Sequence, residues 1–400
     1  MKLVAKQYEK HIYPKPILDL DASETIMDSD LEINRCLFWP HLNKVPKNIK
    51  LLVAGCGTNQ AAYYAHKYPE IKVTGIDLSS SSLQHEMYLK EKHHLGNLRL
   101  EQMNLLGVRK LKENFDIIIS SGVLHHLENP NEGLFALERV LKDDGLMSLM
   151  VYGKYLRLGV YMLQEVFKEL NTSNQTEDDL ILVRETINSL HGNHVLKRYT
   201  NIADDLGYDS GLVDTFLHPR DRAYSVKDIM NFVNSANLVF SSWLDRGYYV
   251  YDPALNPNLS LSQRMKNLSQ IQKWSISEKL NQNIGTHSFV VRKKNNKLKK
   301  IDELYETDFW SQLVPEIKTG SNFSKSSEKN NNFYNLNRLG RSIKMGEGAY
   351  NFLLSIDNQS TLDELILKNK INDIAAVKEF LWTHYELGNI EFSTYRLKFE

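Results

Sequence analysis

Two cysteines in 400 residues, Cys36 and Cys56, exclude a disulfide framework and leave no paired-cysteine spacing for a metal. Charge of one sign is also missing. With 49 basic and 49 acidic side chains, no global field draws the chain toward nucleic acid or an anionic surface. No apolar run approaches the roughly 18 residues that a membrane-spanning helix needs. The opening MKLVAKQYEKHIYPKP lacks the apolar centre of a secretion signal. These absences predict a reducing, cytoplasmic setting with no membrane partner. What is present is a hydrophobic content of 42%, enough for a sizeable core, on a length that predicts two or three domains.

Hydrophobic patterning changes along the chain. Residues 1–48 are mixed, with Leu31, Ile33, Leu37 and Trp39 suggesting a helix, and are expected to form an N-terminal lid. From 49 onward, apolar runs alternate with amphipathic stretches. IKLLVAG (49–55), IKVTGID (71–77), LRLEQM (98–103), FDIIISS (115–121) and LMSLMVY (146–152) read as strands of a parallel sheet. Helices are expected between them, at roughly 58–68, at 80–95 with Ser79 or Ser80 as N-cap, and at 131–141. This is an α/β, Rossmann-like pattern with helices on both faces. LVFSSWL (238–244) and THSFVVRKK (286–294) read as two more strands of that sheet, so the domain is expected over 49–294 with insertions at 153–224 and 245–285. Residues 295–345, rich in Lys, Asn and Ser, read as a solvated, partly disordered linker. Residues 346–400 regain periodicity as a small α+β, winged-helix-like module.

The chemistry concentrates at strand ends. Ala54-Gly55-Cys56-Gly57-Thr58 closes the first strand, where a sharp turn close to a ligand needs glycine. The following helix would offer free N–H groups. Asp77 ends the second strand, 20 residues after Gly57, as does an acid that binds ribose hydroxyls. That spacing suits a dinucleotide or an adenosyl ligand. A dinucleotide fingerprint starting at Gly55 needs a third glycine at 60, and Gln60 stands there, which argues against a nicotinamide dehydrogenase.

LLVAGCGTNQ, TGIDLSSSSL, RLEQMNLL, FDIIISSGVLHHLENP and LERVLKDDGLMSLMVY fall in one order. That series resembles the class I S-adenosylmethionine-dependent methyltransferases, particularly bacterial members with an AGCGTG-type first motif. The resemblance covers about residues 1–245 and implies S-adenosylmethionine as cofactor. It implies Gly55, Cys56 and Gly57 beneath the methionine part and Asp77 on the ribose. Leu78, Met103 and Asn104 would frame the adenine, and Ser121 and Gly122, with Val123, would lie near the sulfonium. Three positions depart from the family pattern: Val53 where an acid is frequent, Asn59 at the third glycine, where Asn tolerates left-handed backbone, and Asn104 where Asp is frequent.

Methyl transfer is an in-line displacement, so the protein mainly aligns donor and acceptor; a hydroxyl or ammonium acceptor also needs a base. Catalytic candidates are Tyr152, His125 and His218, with His126, Lys154, Asp214 and Arg222 nearby in sequence and Tyr8 and Tyr13 as lid residues. No metal is expected. The acceptor, a small molecule or a protein residue, stays open. So do two alternatives: a non-catalytic S-adenosylmethionine-binding regulator, and an RNA methyltransferase using RKKNNKLKK (292–300). Seven basic against nine acidic residues in 341–400 argue against nucleic acid and favour protein contacts for the C-terminal module.

Overall fold

The computed structural model describes residues 2–256, 258–328 and 331–397. Its backbone forms two compact units: 1–28, 47–241 and 281–296 in one; 29–46, 242–280 and 297–400 in the other.

The first unit is built on strands β1 (Lys50–Ala54), β2 (Lys72–Asp77), β3 (Leu98–Gln102), β4 (Phe115–Ser121), β5 (Leu141–Tyr152), β6 (Leu238–Trp243) and β7 (Thr286–Lys293). The sheet order is β3-β2-β1-β4-β5-β7-β6. Strands β1 to β5 pair in parallel and β7 runs antiparallel to β5. Leu51, Leu52, Val53 and Ala54 have no exposed surface, as strands covered on both faces require. The order reverses between β1 and β4, the place where open α/β sheets bind ligands. β6 and β7 join the sheet, as expected from their apolar runs.

Helices Gln60–Lys67 and Ser80–Lys92 follow β1 and β2. Ser79 caps the second, its hydroxyl accepting from the Ser82 amide. Glu86, on an inner turn of that helix, reaches the amino end of the first. Its two carboxylate oxygens accept from the Ala61 and Ala62 amides at 2.9 and 2.8 Å. Burial pushes its acid up to about 8, against the pull of those two amides.

In the second unit the expected linker folds into strands of two small sheets. β8 (Val314–Ile317) pairs antiparallel with β12 (Ile390–Ser393), and β9 (Asn322–Glu328), β10 (Asn331–Arg338) and β11 (Arg341–Met345) form a three-stranded antiparallel sheet. Leu336 faces Phe323 on one side and Ile343 on the other, and Tyr334 faces Met345. In β10 the buried Tyr334 and Leu336 flank the polar Asn335, as in a sheet wetted on one face, so the Lys, Asn and Ser of the segment made it resemble a coil. Leu339 and Gly340, both with positive φ, close the β10–β11 hairpin, the geometry of a type I′ turn. The helix expected around Leu31–Trp39 shrinks to Arg35–Phe38, because Asp30 Oδ1 takes the Glu32 and Ile33 amides into a turn. Helices Glu347–Leu354, Leu362–Lys368 and Ile374–Glu386 share a core with Leu313, Leu336, Ile390 and Phe392. Arg246 stacks on Tyr385 and pairs with Glu391 at 2.6 Å.

Glu86→Ala should lower unfolding free energy by about 2–4 kcal/mol in urea melts, because it strands two buried amides at about 1–3 kcal/mol each. His384 Nδ1 accepts from the Asn389 amide nitrogen, and burial lowers the imidazole to about 4. Below the ordinary histidine range the unfolded chain therefore binds the proton first. Stability should fall from about pH 6.5 to 4 in thermal melts, and His384→Gln should flatten that slope.

Candidate active site

The bend after β1 is fixed from two sides. Gly55 and Gly57 have φ of 81° and 59°, a backbone that side chains with a Cβ resist. The Gly55 and Cys56 amides both donate to the Ile76 carbonyl, at 2.8 and 3.0 Å. Asp77, at the neighbouring strand tip, takes the Gly57 amide on Oδ2 and the Ser79 amide on Oδ1, each at 2.9 Å. Burial raises its carboxyl, and these two amides oppose the shift. Each oxygen keeps a lone pair for further donors. The helix start is less open than its sequence suggests, because Glu86 occupies the Ala61 and Ala62 amides. Asn59 has φ of −153°, so the third-glycine position needs no left-handed residue. Cys56 is buried with its thiol pushed up, first by burial and then by Glu86; only its backbone borders the bend.

Other strand ends complete a partly exposed line. The Met103 amide donates to the Asp77 carbonyl at 2.9 Å, extending the β2–β3 pairing. Asn104 Oδ1 accepts from the Leu106 amide at 2.9 Å and so caps the following turn. Gly122, with φ of 76°, follows Ser121 at the end of β4. The N-terminal segment lies over the bend: the Thr58 hydroxyl donates to the Pro14 carbonyl at 3.1 Å, and a Cβ on Gly57 would meet Pro14 Cδ at 3.0 Å. Glu9 accepts from the Ser80 amide and from the Ser80 and Ser81 hydroxyls.

Beside this line stands a polar and aromatic cluster. The Tyr8 and Tyr152 hydroxyls donate to opposite oxygens of Asp214, at 2.8 and 2.9 Å. Tyr13 donates to Asp205 at 3.2 Å. Burial, then the Asp214 charge, pushes both phenols on Asp214 well up, so they donate protons and Tyr152 is no free base. The Arg157 guanidinium lies 3.7 Å from the Tyr152 ring centre and 3.3 Å from Asp221. The His125 ring lies 4.0 Å from Tyr152, and His126 lies 3.8 Å from His218, ring centre to ring centre. Burial, then the neighbouring His126, lowers both His125 and His218 well below the usual range, which keeps them neutral at physiological pH.

Residues 46–202 match the family model described as "Methyltransferase domain". Over those residues the chain carries a methyltransferase domain. An uncharacterized protein of Synechococcus is 29% identical over 246 residues, covering 60% of this chain and 59% of that protein. The human EEF1A lysine methyltransferase 2 is 28% identical over 121 residues, 28% of this chain and 51% of its own length. The chain thus spans under two thirds of the first curated relatives it matches. The solved structure of PKMT2 from Rickettsia typhi shares the fold at TM-score 0.65 and 14% identity, over 96% of this chain and 78% of that one.

Within the methyltransferase domain, Gly55, Cys56, Gly57, Asp77, Leu78, Met103, Asn104, Ser121 and Gly122 border the carboxyl ends of β1 to β4. Tyr152, His125 and His218 lie in one cluster with Tyr8 and Asp214. Val53 is fully buried, a place where an acid would lose its hydration. Glu86 and Arg157 escaped sequence reading: one is an acid inside a polar helix, the other a basic residue in an irregular stretch, and neither position carries a local motif. Gly55→Ala should cost about 2 kcal/mol, combining an unfavourable backbone with collision of the new methyl against Val123. Adding Val123→Ala should recover the collision part only, as read by denaturant midpoints of the two variants.

Proposed function

We propose that this chain binds S-adenosylmethionine and transfers its methyl group to a small molecule or to a residue of another protein. One observation carries the reading: the Asp77 carboxylate sits on the Gly57 amide at 2.9 Å, uniting the tips of β1 and β2. A ribose diol would take the remaining lone pairs of Asp77, while the glycine bend admits the methionine part. Leu78, Met103 and Asn104 would border the adenine, and the backbone at Ser121 and Gly122 the sulfonium.

S-adenosylmethionine supplies an electrophilic methyl group on a good leaving group. The chain's part is alignment, which can account for a large share of the rate. Tyr8 is the half-buried member of the Asp214 pair. It would accept a proton from the acceptor on its oxygen while passing its own to Asp214 Oδ1. Tyr152 would hold the other carboxylate oxygen in place, with His125 and His218 packed behind. By their names, the human relative acts on a lysine and a Bacillus cereus relative, 23% identical over 211 residues, on an oxygen of malonyl-[acyl-carrier protein]. The names therefore leave the acceptor atom open. Lys293 pairs with Asp143 at 3.2 Å and Arg292 is buried, which takes two of the basic residues in 292–300 away from the RNA alternative. Among the described residues no helix is long and apolar enough to cross a membrane.

Titration calorimetry should give one S-adenosylmethionine site per chain, abolished in Asp77→Ala. Asp214→Asn should keep that affinity and slow methyl transfer by about 10²–10⁴-fold, once an acceptor is found by comparing methylated products in lysates with and without the protein. Absence of heat with the wild type would overturn the reading.

A further inference from the structure

Most buried polar atoms of a folded chain have a partner, yet several without one gather at one place behind Tyr152. Both ring nitrogens of His125 and the Oδ1 of Asp221 are buried with no hydrogen-bond partner. His125 has no exposed surface, and neither has the Asp221 side chain. His126 lies beside His125, ring centres 4.1 Å apart. Its Nδ1 meets the Arg220 carbonyl at 2.8 Å, so Nδ1 carries the proton and Nε2 keeps its lone pair. That is the second-sphere arrangement that orients a metal-bound histidine. Ligand atoms of His125, His126 and Asp221 all lie within 4.8 Å of one another. Zinc binding would draw these atoms in to roughly 2.1 Å from the ion.

Two nearby groups are less suited. His218 Nδ1 accepts from the Arg220 amide at 3.0 Å, which leaves the proton on Nε2 and no lone pair to give. Asp214 is engaged by two tyrosine hydroxyls. Asp221 divides its oxygens instead. Oδ2 meets Arg157 at 3.3 Å and Gln164 at 3.1 Å, and Oδ1 is free for a cation. The carboxylate thereby stands between the guanidinium and the candidate ion and offsets their repulsion.

We propose that His125, His126 and Asp221 bind one divalent transition-metal ion of the zinc class. Two imidazoles and one carboxylate suit such an ion, with water in the open positions. The ion would tie the turn after β4 to the 217–224 segment. This reading goes beyond methyl transfer and does not depend on it.

The test uses the full chain after chelator dialysis, titrated with cobalt(II) as a coloured probe and with zinc(II) against a chromophoric chelator. One ion per chain with visible d–d bands is expected. His126→Gln and His125→Gln, shown to be folded by circular dichroism, should weaken binding at least tenfold, whereas His66→Gln should leave it unchanged. That control addresses the exposed Asp21, His66 and His93 group. X-ray absorption at the zinc edge of the wild type needs no variant and should report two imidazoles with oxygen. No uptake by the wild type, an all-oxygen shell, or loss of the bands only in His66→Gln would overturn the site.

Discussion

The Asp77 carboxylate holds the Gly57 amide on one oxygen and the Ser79 amide on the other, and the candidate site depends on that double grip. The bend after β1 needs two left-handed residues, a backbone that persists only where its surroundings fix it. Asp77 fixes it from the tip of β2. Glu86 fixes the helix that follows, by accepting from Ala61 and Ala62. The two carboxylates thus divide the amides of the turn and the helix start. Only the outward lone pairs of Asp77 and the small glycine surface are left to meet a ligand.

The polar cluster beside the bend is assembled differently. Tyr8 and Tyr13 come from the N-terminal segment, Tyr152 from the end of β5, and Asp205 and Asp214 from the helical insertion. Asp214 is nearly fully buried and is kept there by two phenol donors, since a buried carboxylate without partners is costly. The N-terminal segment therefore does two jobs in the first unit. It rests on the Gly57 bend through Pro14 and completes the Asp214 pair through Tyr8.

The second unit obeys the same accounting. Arg246 is buried, stacked on Tyr385, and bonded to the Tyr385 carbonyl and to Glu391. Its apolar core gathers Leu304, Leu313 and Leu336 from a stretch whose average composition looks solvated, together with Leu353, Leu381 and Phe392 of the periodic C-terminal stretch. A one-sided sheet spreads its apolar residues at every second position, and composition averages over both faces.

Sequence alone determined the strand–helix alternation over 49–152, the two later strands of the same sheet, and the residues at the glycine bend and at Asp77. These are local patterns, written in apolar periodicity and in glycine's freedom of backbone. Tertiary structure decided the rest. Three of its results are the strands at 314–317, 322–328, 331–338 and 341–345, the closing of the helix start by Glu86, and the meeting of Tyr8, Tyr152 and Asp214. The last pair of contacts spans 206 and 62 residues of sequence. No local spacing encodes a hydrogen bond between segments that far apart, because it exists only once packing has brought the groups together and removed the water between them.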